Sequence, residues 1–314
     1  MGEPAEKIDR SIEIDRAITA IPEIAKLLRV ETRSEMDRCY TCWTCSTECP
    51  GYVFGNRLNP TRLVRMAHYG LMDELMEGPE IWYCLSCNRC SNMCPMTVRP
   101  SNLIGYLRKE SVRRKIVKPE MVSGLSDLHR QFHHVRWHVL STCLKGETPS
   151  NLAAKWDMLK DAPIKTASFS EVNLNSLPNR SDFRKASDHY IGIPTDLKVC
   201  FTCYECSNAC PVCYEQPVFN PLFLFRLTTL GLQEEALTSP SLWLCLGCQS
   251  CTHACSQRVK GHLIIRHLQD IAVEQGYVKG TSLQTWKKAQ KELYPLLFDR
   301  IESLWTEVTS TRVS

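Results

Sequence analysis

Sixteen of the eighteen cysteines in this 314-residue chain fall into four quartets of one spacing, and this pattern constrains the chain more than any other feature. The quartets are Cys39, Cys42, Cys45, Cys49; Cys84, Cys87, Cys90, Cys94; Cys200, Cys203, Cys206, Cys210; and Cys245, Cys248, Cys251, Cys255. Each reads Cys-x2-Cys-x2-Cys-x3-Cys. From Cys39 to Cys200 and from Cys84 to Cys245 the offset is 161 residues.

Other residues keep this offset. Asn59-Pro60 pairs with Asn220-Pro221, Leu63 with Leu224, Arg65 with Arg226, Gly70-Leu71 with Gly231-Leu232, Pro79 with Pro240 and Trp82 with Trp243. Gapless agreement of this extent marks an internal duplication, one module used twice. Within a module, Asn59 suits a helix N-cap and Pro60 the first helical position. Leu63, Val64, Met66 and Ala67 supply an apolar stripe, and Gly70 a stop. A second short helix is predicted over 71–77, and further helices over 102–117 and 263–275. Strand-type alternation is nearly absent, so the fold is expected to be mainly α. The chain divides into a first module (1–120), a connector (121–190), a second module (191–280) and a C-terminal helical extension (281–314). The connector is helical from Met121 to Leu140 and irregular after about Thr148, where Ser, Asn, Asp and Pro are frequent. The extension reads as an amphipathic helix that Pro295 can break.

Disulfides, zinc and iron–sulfur clusters are the three uses such cysteines could have. The charged N-terminus has no apolar run behind it, so no secretory signal is read, and no stretch has the ~18–20 apolar residues of a membrane span. An intracellular setting keeps thiols reduced and free to bind metal. Zinc favours paired knuckles separated by a longer loop. Four thiolates within eleven residues, repeated four times, with proline after three of the runs (Pro50, Pro95, Pro211), match the bacterial-ferredoxin run for cubane clusters. The first three thiolates can wrap one cube; the fourth lies too far round the turn and binds the other cube of a pair. The expected cofactors are therefore four [4Fe-4S] clusters. Their ligands are Cys39, Cys42, Cys45 with Cys94; Cys84, Cys87, Cys90 with Cys49; Cys200, Cys203, Cys206 with Cys255; and Cys245, Cys248, Cys251 with Cys210. Ser256 stands where the fourth proline is expected, which alters local backbone but removes no ligand. Cys143 and Cys213 lie outside the repeated framework, since Tyr52 holds the place equivalent to Cys213. Cys213 reads as a free, partly buried thiol.

The order of a Cys quartet, Asn-Pro-x2-Leu-x-Arg-x4-Gly-Leu, an acidic helix and Trp-x-Cys-Leu-x-Cys-x2-Cys-x3-Cys resembles the C subunit of heterodisulfide reductase. The likeness covers residues ~35–115 and ~196–276. It implies two tandem modules resembling the α-helical ferredoxin fold, each with two [4Fe-4S] clusters. It also implies a role relaying electrons between a flavin-containing subunit and a catalytic subunit with paired Cys-Cys motifs. The ordinary family member resembles one module; this chain has two. It contains no Cys-Cys pair and no Gly-x-Gly-x-x-Gly, so no substrate or flavin site of its own is expected.

Two other readings compete: an iron–sulfur subunit of a quinone-linked respiratory dehydrogenase, and an iron–sulfur redox sensor. The second predicts a DNA-reading or signalling domain, and none is evident. The formal net charge of +4 does not point to nucleic acid. A cytoplasmic location is expected, at the membrane only through partners. His129, His133, His134 and His138 lack a completing metal ligand and read as a solvated or docking helix. Arg108, Lys109, Arg113, Arg114, Lys115 and Lys118 read as a solvated face or a dock for an acidic partner. Trp137, Trp156, Trp286 and Trp305 read as packing anchors.

Overall fold

The computed structural model describes residues 20–164, 180–213 and 218–310. The charged N-terminal segment and residues 165–179 of the connector lie outside the described residues. The described part is mainly helical; its one ladder pairs His189–Tyr190 with Ile193–Pro194. None of its helices is long and apolar enough to cross a membrane.

The helices recur at the spacing of the cysteines. Pro60–His68 corresponds to Pro221–Leu230, Met72–Glu77 to Gln233–Thr238, and Pro100–Arg113 to Gly261–Glu274. The physical causes recur too. Asn59 Oδ1 accepts from the Arg62 N–H at 3.1 Å, and Asn220 Oδ1 from the Phe223 N–H at 3.2 Å. Such caps are worth ~0.5–2 kcal/mol each. The same two oxygens accept from Ser46 Oγ and Ser207 Oγ, both at 2.8 Å, so each cap ties its helix to the neighbouring cysteine loop. Each helix then ends at a glycine in the left-handed region, Gly70 (φ +77°) or Gly231 (φ +73°). A Cβ on Gly70 would lie 2.1 Å from the Ile21 carbonyl oxygen, so only glycine fits there. The buried stripes match by position: Leu103, Ile104 and Leu107 in one module, Ile264, Ile265 and Leu268 in the other.

The connector and the extension form a brace. Glu120–Leu144 is one helix, packed along the terminal helix Gly280–Ser310. The terminal helix runs unbroken through Pro295, where local rules predict a break. It holds the first module by stacking Tyr294 on Phe54 at 4.2 Å and by ion pairs from Arg57 to Asp299 and Glu302. The Glu120–Leu144 helix packs against the Pro240–Leu244 turn of the second module. Phe132 and Trp156, both fully buried, join the two helices at the centre.

One expectation for this region is corrected. His129, His133 and His134 are buried rather than solvated. Phe132, His133, His134, Val135 and Arg136 are buried in succession, so this part of the helix is enclosed on every side, and the histidines share that interior. The basic stretch keeps Lys109, Arg113, Arg114, Lys115 and Lys118 exposed, as expected of a solvated face. Arg113 and Arg114 pair with Glu110, and Arg114 also with Asp73. Arg108 turns inward to backbone carbonyls.

Candidate metal centres

Each cysteine loop bends through left-handed backbone at the residues just before and just after its second cysteine. These are Thr41 and Trp43, Ser86 and Asn88, Thr202 and Tyr204, and Gly247 and Gln249, with φ between 54° and 69°. All but Gly247 carry side chains, and left-handed backbone costs such residues ~1–2 kcal/mol each. For the β-branched Thr41 and Thr202 it is a rare conformation. Strain repeated at the same place in four loops marks a functional constraint. The bends curl each loop around its own thiols and direct amides at sulfur. The N–H groups of Ser86 and Gly247 donate to Cys84 Sγ and Cys245 Sγ, both at 3.3 Å, and that of Val98 to Cys94 Sγ at 3.4 Å. Amides so placed favour negative charge on sulfur.

The thiols gather across quartets. Cys39, Cys42, Cys45 and Cys94 line one cavity of about 360 Å³. Cys200, Cys203, Cys206 and Cys255 line one of about 370 Å³, together with Cys251. Cys210, Cys245, Cys248 and Cys251 line a third of about 330 Å³. Cys49, Cys84, Cys87 and Cys90 are all buried and lie within electrostatic reach of one another. Cys213 is half-buried beside Cys210, and Cys143 is fully buried on the connector helix.

These residues fit iron–sulfur cubes. The donors are all soft sulfur, which selects zinc or iron–sulfur chemistry. Among the described residues no three His, Cys, Asp or Glu side chains converge as a single ion requires. The sulfurs surround volumes instead. Burial pushes Cys49 up to about 12 and Cys245 and Cys206 up to about 11, and it raises Cys87, Cys90, Cys210 and Cys251 strongly, with neighbouring thiolates adding to it. Thiols crowded out of water in this way give up their protons only to a cationic centre, as a cluster's iron would be. Exposed Cys42 is the exception: hydrogen bonding from Thr44 holds its thiol below the ordinary value.

The second and fourth quartets meet face to face. Asn92 Nδ2 donates to the Cys248 carbonyl at 2.8 Å, and Ser250 Oγ donates to the Cys87 carbonyl at 3.2 Å. Cys87 and Cys248 hold the same place in their modules, so the contact is nearly self-complementary. Arg89 Nη1 adds a bond to the Leu246 carbonyl at 2.8 Å, and the same side chain pairs with Glu48. The first and third quartets stay outside this junction and open to solvent. Cys42 and Cys203 are exposed, flanked by the exposed aromatics Tyr40 and Trp43 and their counterparts Phe201 and Tyr204.

Sequence reasoning missed the residues that join or support these sites. Asn92 and Ser250 carry no motif. Thr61, whose Oγ1 lies 3.2 Å from Cys45 Sγ, had a signal only in its replacement by Leu222 in the second module. Arg136 had a clearer one, a cation on the apolar stripe of Phe132, Val135, Val139 and Leu140.

Comparison with known proteins agrees with this chemistry. Residues 38–99 and 196–259 each match a family model described as a 4Fe-4S dicluster domain. The chain is 27% identical over 112 residues to a protein of Archaeoglobus profundus described as like the heterodisulfide reductase C subunit, covering 36% of this chain and 60% of the relative. It is 30% identical over 120 residues to the iron–sulfur C subunit of the CoB–CoM heterodisulfide reductase of Methanopyrus kandleri, with 36% and 60% covered. It is 27% identical over 117 residues to the C subunit of the H2:CoB-CoM heterodisulfide, ferredoxin reductase of Methanothermobacter thermautotrophicus, with 36% and 58% covered. The chain thus spans about three fifths of the length of these relatives. No solved structure matches it. Two 4Fe-4S dicluster domains make this an iron–sulfur protein similar to the C subunit of heterodisulfide reductase.

Proposed function

We propose that the chain is the iron–sulfur electron-transfer subunit of a heterodisulfide-reductase-like multisubunit oxidoreductase. In this reading its two modules are tandem α-helical ferredoxin-like units holding four [4Fe-4S] clusters through the exchanged cysteine sets. It relays electrons between a flavin-containing subunit and a paired-Cys catalytic subunit, in the cytoplasm, reaching a membrane only through partners. When bound, each cube supplies a one-electron carrier. The chain's own residues hold the cubes, exclude water from the inner pair and open the outer pair to partners.

The observation that carries this is the contrast between inner and outer quartets. Asn92 and Ser250 lock the two inner loops together, while Cys42 and Cys203 reach solvent. A relay needs such a route, surface to interior to surface, and a storage protein or an isolated enzyme does not. In this reading the sites run in the order Cys39, Cys84, Cys245, Cys200, named by first ligand. Pulsed EPR on the reduced full-length chain tests the order. Spin–spin coupling is expected between the two inner clusters and weakened in the N92L/S250A variant. Coupling confined within modules would mean two separate relays.

A further inference from the structure

Arg136 is the most deeply buried cation described, 1% exposed in the middle of the connector helix. Its guanidinium lies over the rings of Phe132 and Trp286, 5.6 Å from each centroid. Nη1 donates to His133 Nδ1 at 3.2 Å and to the Leu244 carbonyl at 3.4 Å, while Nε has no hydrogen-bond partner among the described residues. His133 accepts, so its ring is neutral and carries its proton on Nε2. No carboxylate pairs with Arg136 among the described residues. A buried charge without a counter-charge is among the most costly arrangements a fold can keep.

The duplication indicates what balances it. Leu244 directly precedes Cys245. In the first module the corresponding turn is served by Arg108, which donates to the carbonyls of Ile81 at 2.9 Å, Trp82 at 3.1 Å and Cys84 at 2.6 Å. The residue in Arg108's place in the second module is Gln269, which donates only to the Leu242 carbonyl, at 2.9 Å. The second module has no cation in that place, at the turn before its inner quartet. The connector supplies one from the other side.

We propose that Arg136 is the fixed counter-charge of the cluster bound by Cys245, Cys248, Cys251 and Cys210, and that it raises that cluster's reduction potential. The proposal rests on the reading that this set binds a [4Fe-4S] cluster. Reduction adds one electron to an already anionic group. A permanent cation walled off from water by Phe132 and Trp286 favours that added charge far more than an exposed one could. Arg136 acts through the field and touches no reacting partner, so its effect belongs in a potential rather than in binding.

The test is an EPR-monitored redox titration of the anaerobically purified full-length chain, with iron content measured alongside. R136M is expected to keep its iron and to lower one midpoint. The reduction equilibrium of that cluster should weaken about tenfold, or about 59 mV for one electron, with the other three unmoved. R136K should stay near the native value. R136M/Q269R, which places a cation where the first module has one, should return the midpoint toward native. R136M with full iron and four unchanged midpoints overturns the proposal. If R136M loses iron, R136M/Q269R decides: iron regained with a near-native midpoint supports a charge role, and iron still absent overturns it. A native chain without four cluster signals would instead defeat the underlying reading.

Discussion

Gly261 and Phe225 offer a quantitative test of how the duplicated modules are built. A Cβ added at Gly261 would lie 2.6 Å from Phe225 Cζ and 3.0 Å from Cys251 Sγ. The equivalent pair in the first module is Pro100 and Val64, where a smaller partner leaves room for a larger residue. Overpacking of this kind costs ~1–3 kcal/mol, while the lost glycine entropy returns ~0.5–1 kcal/mol. G261A should therefore shift stability downward by roughly 0–2.5 kcal/mol, expressed at the sulfur of Cys251. F225V alone opens a void and should cost ~2–3 kcal/mol. In the double variant the void accepts the new methyl, so the two should couple by about 1–2 kcal/mol. The assay is the rate at which visible cluster absorption bleaches in denaturant under anoxic conditions. A coupling of about 1.4 kcal/mol is about a tenfold rate difference from additivity. Additive effects to within ~0.5 kcal/mol would refute this account of the packing.

Three further outcomes are expected. C49A should lose the cluster of Cys84, Cys87 and Cys90 and spare that of Cys39, Cys42 and Cys45; loss of the latter instead would reverse the exchanged assignment. T61V removes a hydroxyl 3.2 Å from Cys45 Sγ and should lower one outer cluster's potential by about 20–60 mV, the equivalent of ~0.5–1.5 kcal/mol for one electron; an unchanged titration would count against it. Burial, with Arg108 nearby, holds His129 down at about 3, so below its ordinary 6.5 the unfolded chain takes a proton that the folded chain refuses. The stability this residue contributes is full above pH 6.5 and falls as pH drops, by up to ~1.4 kcal/mol per unit. H129F should flatten that acid slope, and parallel slopes for the two chains would contradict the assignment.

Much of this architecture was legible because the same residue pattern occurs twice in the sequence. Asn59 and Asn220 cap helices because each precedes a proline at the first turn, and Gly70 and Gly231 end them because only glycine takes that backbone without cost. The cysteine spacing predicts cross-quartet sets, and three cavities are each lined by cysteines of two quartets. What the sequence hid is long-range. The histidine-bearing helix reads as polar by composition, yet it is enclosed by the terminal helix and the second module, and no local pattern reports that enclosure. Pro295 stops helices by local rules, but packing of Leu293, Tyr294, Leu297 and Phe298 carries the helix across it. The contact of Asn92 with Cys248 joins residues 156 apart, beyond the reach of any periodicity.

The proposed cofactor content of these sixteen cysteines is four cubes and no other metal. Iron, acid-labile sulfide and zinc, measured together on the anaerobically purified chain, test it directly. About sixteen iron and sixteen sulfide per chain are expected, four of each per cube. Stoichiometric zinc with little iron or sulfide would contradict it.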